Sequence, residues 1–129
     1  MVFEPTYALH SHLSRITGTD TVVIDRNDDF TLDPQTAVGA VIEHRPNVVF
    51  LCSPNNPTGR TETRELVTEV AQATAATSSL LVVDEAYAQF ASWSAAELLD
   101  EDRAMVVTRT FSKTWSMAAM RLGYLLGPR

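Results

Sequence analysis

Residues 47–59 read NVVFLCSPNNPTG, a short β-branched apolar run that passes directly into a loop holding Pro54, Asn55, Asn56, Pro57 and Gly59. The run has the composition of a buried strand. The loop holds its backbone rigidly while its amide side chains remain available as both donors and acceptors.

The pattern repeats outward from there. Further strands are expected over 21–25, 80–84, 104–108 and 122–126, beside 47–52. Helical patterns fall between them. One covers 7–17 and stops at Gly18; a second begins at the Asp33-Pro34 cap and runs to about residue 44. A third covers 62–77 with Leu66, Val70 and Ala73 on one face, and a shorter piece covers 94–99. Strands alternating with helices predict an α/β fold, a mostly parallel sheet with crossover helices. The piece at 116–120 is too short for a crossover, so the last strand is expected to return antiparallel.

At 129 residues with 45% hydrophobic content the chain has the length and composition of one globular domain. A net charge of −6 argues against nucleic-acid or anionic-membrane partners, which require a basic stripe, and leaves small molecules and proteins. No apolar run approaches the roughly 20 residues that cross a bilayer, and a cytoplasmic location is expected. Cys52 is the only cysteine, read as a buried small hydrophobe within a strand. No Cys or His cluster has metal-ligand spacing; His10, His12 and His44 are read as structural or surface residues.

In open parallel sheets ligands bind beyond the carboxyl ends of the strands. Three unusual stretches fall there. SPNNPTG (53–59) follows one strand, and VVDEAY (82–87) ends another with an acid, Asp84, three residues before Tyr87. A strand-end carboxylate is costly unless it meets a cation. The third stretch, TRTFSKTWSMAAMRLGY (108–124), holds Lys113, the only lysine in the chain. Thr110 and Ser112 flank it with hydroxyls and Arg121 follows, a set suited to a dianionic phosphate. An amide, a carboxylate, a phenol, an amine and a phosphate cradle together describe a pocket for a phosphorylated pyridine aldehyde. Arginine serves as well as lysine for a solvated charge, but its guanidinium cannot form an imine at neutral pH.

The ordered series EPTY, SPNNPTG, DEAY and SKxxxxxxxR resembles the fold-type I pyridoxal-phosphate enzymes of the aspartate aminotransferase superfamily, most closely the histidinol-phosphate aminotransferases. The resemblance spans the whole chain and implies a central piece of the large, cofactor-binding domain. It implies that Lys113 is the Schiff-base lysine and proton carrier and that Asp84 pairs with the pyridine nitrogen. Asn56 and Tyr87 would hydrogen-bond the ring's 3-oxygen, and Thr110, Ser112 and Arg121 would hold the phosphate. Tyr7, after Pro5-Thr6, would stack on the ring. The catalytic set implied by the resemblance is Lys113, Asp84 and Tyr87.

The implied reaction transfers an amino group from histidinol phosphate to 2-oxoglutarate in a homodimeric parent. The family's glycine-containing phosphate loop, its substrate-carboxylate arginine and its partner-subunit residues have no counterparts among these residues, so activity of this polypeptide alone is not expected. An aromatic aminotransferase or a phosphothreonine decarboxylase would keep the same cofactor residues. A non-catalytic cofactor-binding domain is a further alternative. A Rossmann module is set aside because no GxGxxG opens a helix.

Overall fold

The computed structural model describes residues 1–129. In chain order the elements are β1 (Val2–Glu4), α1 (Leu9–Ile16), β2 (Val23–Asp25), α2 (Pro34–His44), β3 (Val48–Cys52), α3 (Arg64–Ala76), β4 (Leu80–Asp84), β5 (Met105–Thr110) and β6 (Gly123–Leu126). Short 3₁₀ turns cover Ala88–Phe90, Ala95–Leu98 and Ala118–Met120.

β3, β4 and β5 pair in parallel and β6 returns antiparallel on β5, as the brevity of the 116–120 segment predicts. β1 and β2 form a second parallel pair. That pair borders β3 through Met1, whose amine donates to Val48 O at 2.8 Å and whose carbonyl accepts from Phe50 N at 3.0 Å. The sequence reading missed β1, which is too short to show a period.

The two faces of the main sheet are covered differently. Val49, Leu51, Leu81, Val83, Met105 and Val107 are fully buried and form the core with α2 and α3, which contribute Ala37, Val41, Leu66, Val67 and Val70. The opposite face, with Phe50 and Val82, is only partly covered. There α1 lays His10 flat on Phe50, ring centroids 4.7 Å apart.

Helix starts follow the expected chemistry. Asp33 Oδ2 accepts from Thr36 N at 2.8 Å with Pro34 in the first turn, and Thr63 Oγ1 accepts from Leu66 N at 3.1 Å. A buried ion pair ties the two sheets together. Arg26 Nη1 lies 2.6 Å from Glu62 Oε1, and its Nε donates to Phe3 O at 3.3 Å. Burial pushes the Glu62 carboxyl up, and Arg26 opposes that shift.

Strand pairing sets the level of the site. Cys52, Asp84 and Thr108 lie side by side across β3, β4 and β5, so the loops that follow β3 and β4 leave the sheet at one height. Gly123 pairs with Thr110, and a Cβ there would meet the Arg109 carbonyl at 2.8 Å. Gly123→Ala therefore forces β6 away from β5 and should cost about 1–3 kcal/mol in urea denaturation. Gly39 is the opposite case, exposed within α2 with nothing within 4 Å of a Cβ. Gly39→Ala should gain about 0.5–1 kcal/mol in the same measurement.

Candidate active site

Above the carboxyl ends of β3, β4 and β5 lies a cavity of roughly 440 Å³. Its wall contains Tyr7, Asn56, Asp84, Tyr87, Thr110, Ser112, Lys113 and Arg121. Residues expected from four separate stretches of sequence thus line one cavity, within the usual size range of small-molecule sites.

Asp84 ends β4 on the partly covered face of the sheet, with its side chain 15% exposed. Oδ1 accepts from Ala86 N at 3.0 Å, and Oδ2 lies 2.9 Å from His10 Nε2. An ionised carboxylate only accepts, so this contact places a hydrogen on His10 Nε2. His10 Nδ1 is buried and has no hydrogen-bond partner. The ring is fixed by Phe50 below and by the edge of Tyr7, whose centroid is 5.5 Å away.

The sequence reading of His10 as structural is thus incomplete, because the residue contacts the strand-end acid. The usable signal was its position three residues after Tyr7, a spacing that brings side chains to one side of a helix. His12 and His44 are exposed, as expected.

Asn56 and Tyr87 line the cavity from the loops after β3 and β4. The neighbouring Asn55 is buried and turned the other way, into hydrogen bonds with the loop around Pro5 and Thr6. Lys113 Nζ stands 5.7 Å from the centre of the Tyr87 ring, a cation–π contact. Lys113 is exposed, so this chain by itself does not exclude water from the amine.

Beyond β5, Thr110 Oγ1 accepts from Ser112 N at 3.0 Å, and the turn closes through Phe111 N to Leu122 O and Met117 N to Phe111 O. Arg121 sits in the left-handed region at φ 50°, donates Nη1 to Ala118 O at 3.0 Å and lines the same cavity as Thr110 and Ser112.

Glu85 and Arg109 are neighbours of site residues with a different task. Glu85 is buried and accepts from Arg109 Nη2 at 2.7 Å, Ala95 N at 2.6 Å and Ser94 Oγ. This network ties β4, β5 and the Ala95–Leu98 turn together on the core side of the sheet. Nothing in the sequence pattern pairs these two residues in advance.

Cys52 also borders the cavity. Burial pushes its thiol up to about 12, reinforced by the Asp84 charge beside it. This agrees with its reading as a small hydrophobe.

The sequence profile described as aminotransferase class I and II matches residues 1–129. The chain belongs to the class I and II aminotransferase family. It is 46% identical over 127 residues to a histidinol-phosphate aminotransferase of Frankia casuarinae, covering 95% of this chain and 32% of that protein. It is 47% identical over 126 residues to the same-named protein of Thermobifida fusca, covering 95% of this chain and 34% of that one. The chain spans about a third of the length of these curated relatives. Among solved structures it resembles histidinol-phosphate aminotransferase from Sinorhizobium meliloti in complex with pyridoxal-5'-phosphate, with a TM-score of 0.86 and 31% identity. That match covers 99% of this chain and 35% of the other. No helix of this aminotransferase-family chain is long and apolar enough to cross a membrane.

The raised Cys52 pKa gives a direct check. At pH 8 the thiol stays protonated, so the folded chain should react with an aromatic disulfide reagent at least ~100-fold more slowly than the urea-unfolded chain, followed by thiolate release.

Proposed function

We propose that this chain is part of the large domain of a pyridoxal-phosphate-dependent aminotransferase and carries most of the cofactor's protein contacts. The observation behind this reading is the convergence of Tyr7, Asn56, Asp84, Tyr87, Thr110, Ser112, Lys113 and Arg121 on one cavity. The donor set fits the cofactor group by group: an amine for an aldehyde, a carboxylate for a pyridinium, an amide and a phenol for a phenolate oxygen, and hydroxyls with a guanidinium for a phosphate.

When bound, pyridoxal phosphate supplies an aldehyde carbon that condenses with amines and a protonated ring that accepts the electron pair left on the substrate's Cα. Lys113 Nζ is the chain's own amine for that carbon. Lys113 Nζ would be the base that takes the proton from the substrate's Cα and the acid that returns it to the cofactor's aldehyde carbon, C4′. Asp84 is the anion that keeps a proton on the pyridine nitrogen. His10 Nε2 and Ala86 N occupy its two oxygens and hold it in place for that contact. Asn56 and Tyr87 would donate to the 3-oxygen, Tyr7 would stack on the ring, and Thr110, Ser112 and Arg121 would hold the phosphate.

The relatives' names support histidinol phosphate as amino donor; the proposal adds 2-oxoglutarate as acceptor and a homodimeric, cytoplasmic enzyme of histidine biosynthesis, on the resemblance of the motifs alone. Aromatic amino acids are the competing donor class. In a polypeptide carrying this chain with the remainder of the enzyme, turnover of histidinol phosphate well above that of phenylalanine is expected. The reverse preference would replace the substrate assignment and leave the cofactor assignment intact.

Cofactor binding is tested on the chain itself. Incubation with pyridoxal phosphate, borohydride reduction and peptide mass spectrometry should place the adduct on Lys113. Lys113→Arg should abolish that adduct while keeping the charge. Adducts on the N-terminal amine alone would overturn the reading.

A further inference from the structure

Tyr7 and Asn56 come from loops some fifty residues apart in sequence, yet both must stand at fixed places around one small ligand. The side-chain hydrogen bonds that join their loops run between Asn55, beside Asn56, and Pro5 and Thr6, just before Tyr7. Thr6 Oγ1 donates to Asn55 Oδ1 at 2.8 Å, and Asn55 Nδ2 donates to Pro5 O at 3.0 Å. The same Nδ2 donates to Thr58 Oγ1 at 2.9 Å, so both amide hydrogens and the amide oxygen are engaged.

The backbone of Asn55 is equally committed. Its N–H donates to Arg60 O at 2.7 Å and its carbonyl accepts from Gly59 N at 2.7 Å. The residue is 2% exposed, so none of these bonds can be exchanged for water without opening the loop.

We infer that Asn55 is a positioning residue that sets the spacing between Tyr7 and Asn56 and so holds the two sides of the cofactor site in register. This rests on the assignment of the cavity as the pyridoxal-phosphate site, and it adds a residue that touches no cofactor atom.

The geometry makes the coupling specific. Thr6 and Asn55 each directly precede the cavity residue on their own loop, so a shift at the clasp is passed on across a single peptide unit. Thr58, by contrast, bonds Asn55 within one loop and also accepts from Arg60 N at 3.3 Å. Its loss should loosen the SPNNPTG turn without parting the two loops.

The test compares Asn55→Ala, Thr6→Val and Thr58→Val in the full chain by two independent readouts. The first is amide hydrogen exchange at residues 9–12 and at Gly59, without cofactor. Asn55→Ala and Thr6→Val should accelerate exchange at the start of α1, whereas Thr58→Val should affect Gly59 alone. The second is pyridoxal phosphate affinity by absorbance titration, which should weaken about tenfold in the first two variants and much less in the third.

Thr6→Val removes one hydroxyl and keeps the side-chain shape, so it serves if Asn55→Ala fails to fold. Unchanged exchange at α1 in Thr6→Val would overturn the clasp. Faster exchange with unchanged affinity would overturn its role in positioning. If the unsubstituted chain bound no pyridoxal phosphate, the cofactor assignment would fall, and with it the positioning role; the exchange readout would still decide whether the clasp joins the loops.

Discussion

A carboxylate at the end of a buried parallel strand is the constraint around which this molecule is arranged. Asp84 is flanked in register by Cys52 and Thr108 and has little solvent of its own. Without compensation its charge would be costly there. Compensation comes from His10 and from the Ala86 amide. His10 in turn needs α1 laid across the partly covered face of the sheet, which requires β1 and the Pro5–Thr6 turn to deliver the helix there. β1, the Pro5–Thr6 turn and α1 therefore support one anion.

The motifs divide their labour by the period of the strand. Side chains alternate faces along a strand, so neighbouring residues cannot share a task. Asp84 borders the cavity, whereas Glu85 reaches the core side and binds Arg109. Thr108 and Thr110 follow the cavity side, and Arg109 between them pairs with Glu85. The loop after β3 shows the same split by a different route, with Asn56 beside the cavity and Asn55 turned inward to clasp its neighbour. Asp84, Thr110 and Asn56, which border the cavity, thus each have a structural neighbour in sequence.

That division also explains what could be read from the sequence. The strands over 80–84 and 47–52 were legible because β-branched runs ended in unmistakable loop chemistry, and the antiparallel return of β6 followed from a connection too short to cross the sheet. Candidate cavity residues were legible because an isolated lysine, a strand-end acid and hydroxyls near an arginine are costly or unusual where they stand. Their structural neighbours were not. Glu85 with Arg109, Arg26 with Glu62 and Asn55 with Thr6 are pairings between distant segments, and no local period marks them. His10 was half visible, correctly read as structural but without its partner, since its contact with Asp84 exists only once α1 has been laid on β3.

The stacking of His10 on Phe50, with Tyr7 at its edge, has a bearing on how this chain can vary in length. One residue added between Tyr7 and the body of α1 would turn the helix by about 100° relative to the loop before it. Either the phenol or the imidazole would then leave its place, because the edge contact between Tyr7, which precedes α1, and His10 within it depends on their present separation. The loop after β2, exposed from Asn27 to Phe30, carries no such paired rings and has room for insertions. The junction from Pro5 to Leu9 behaves instead like a gauge block, a segment whose residue types can change while its length cannot.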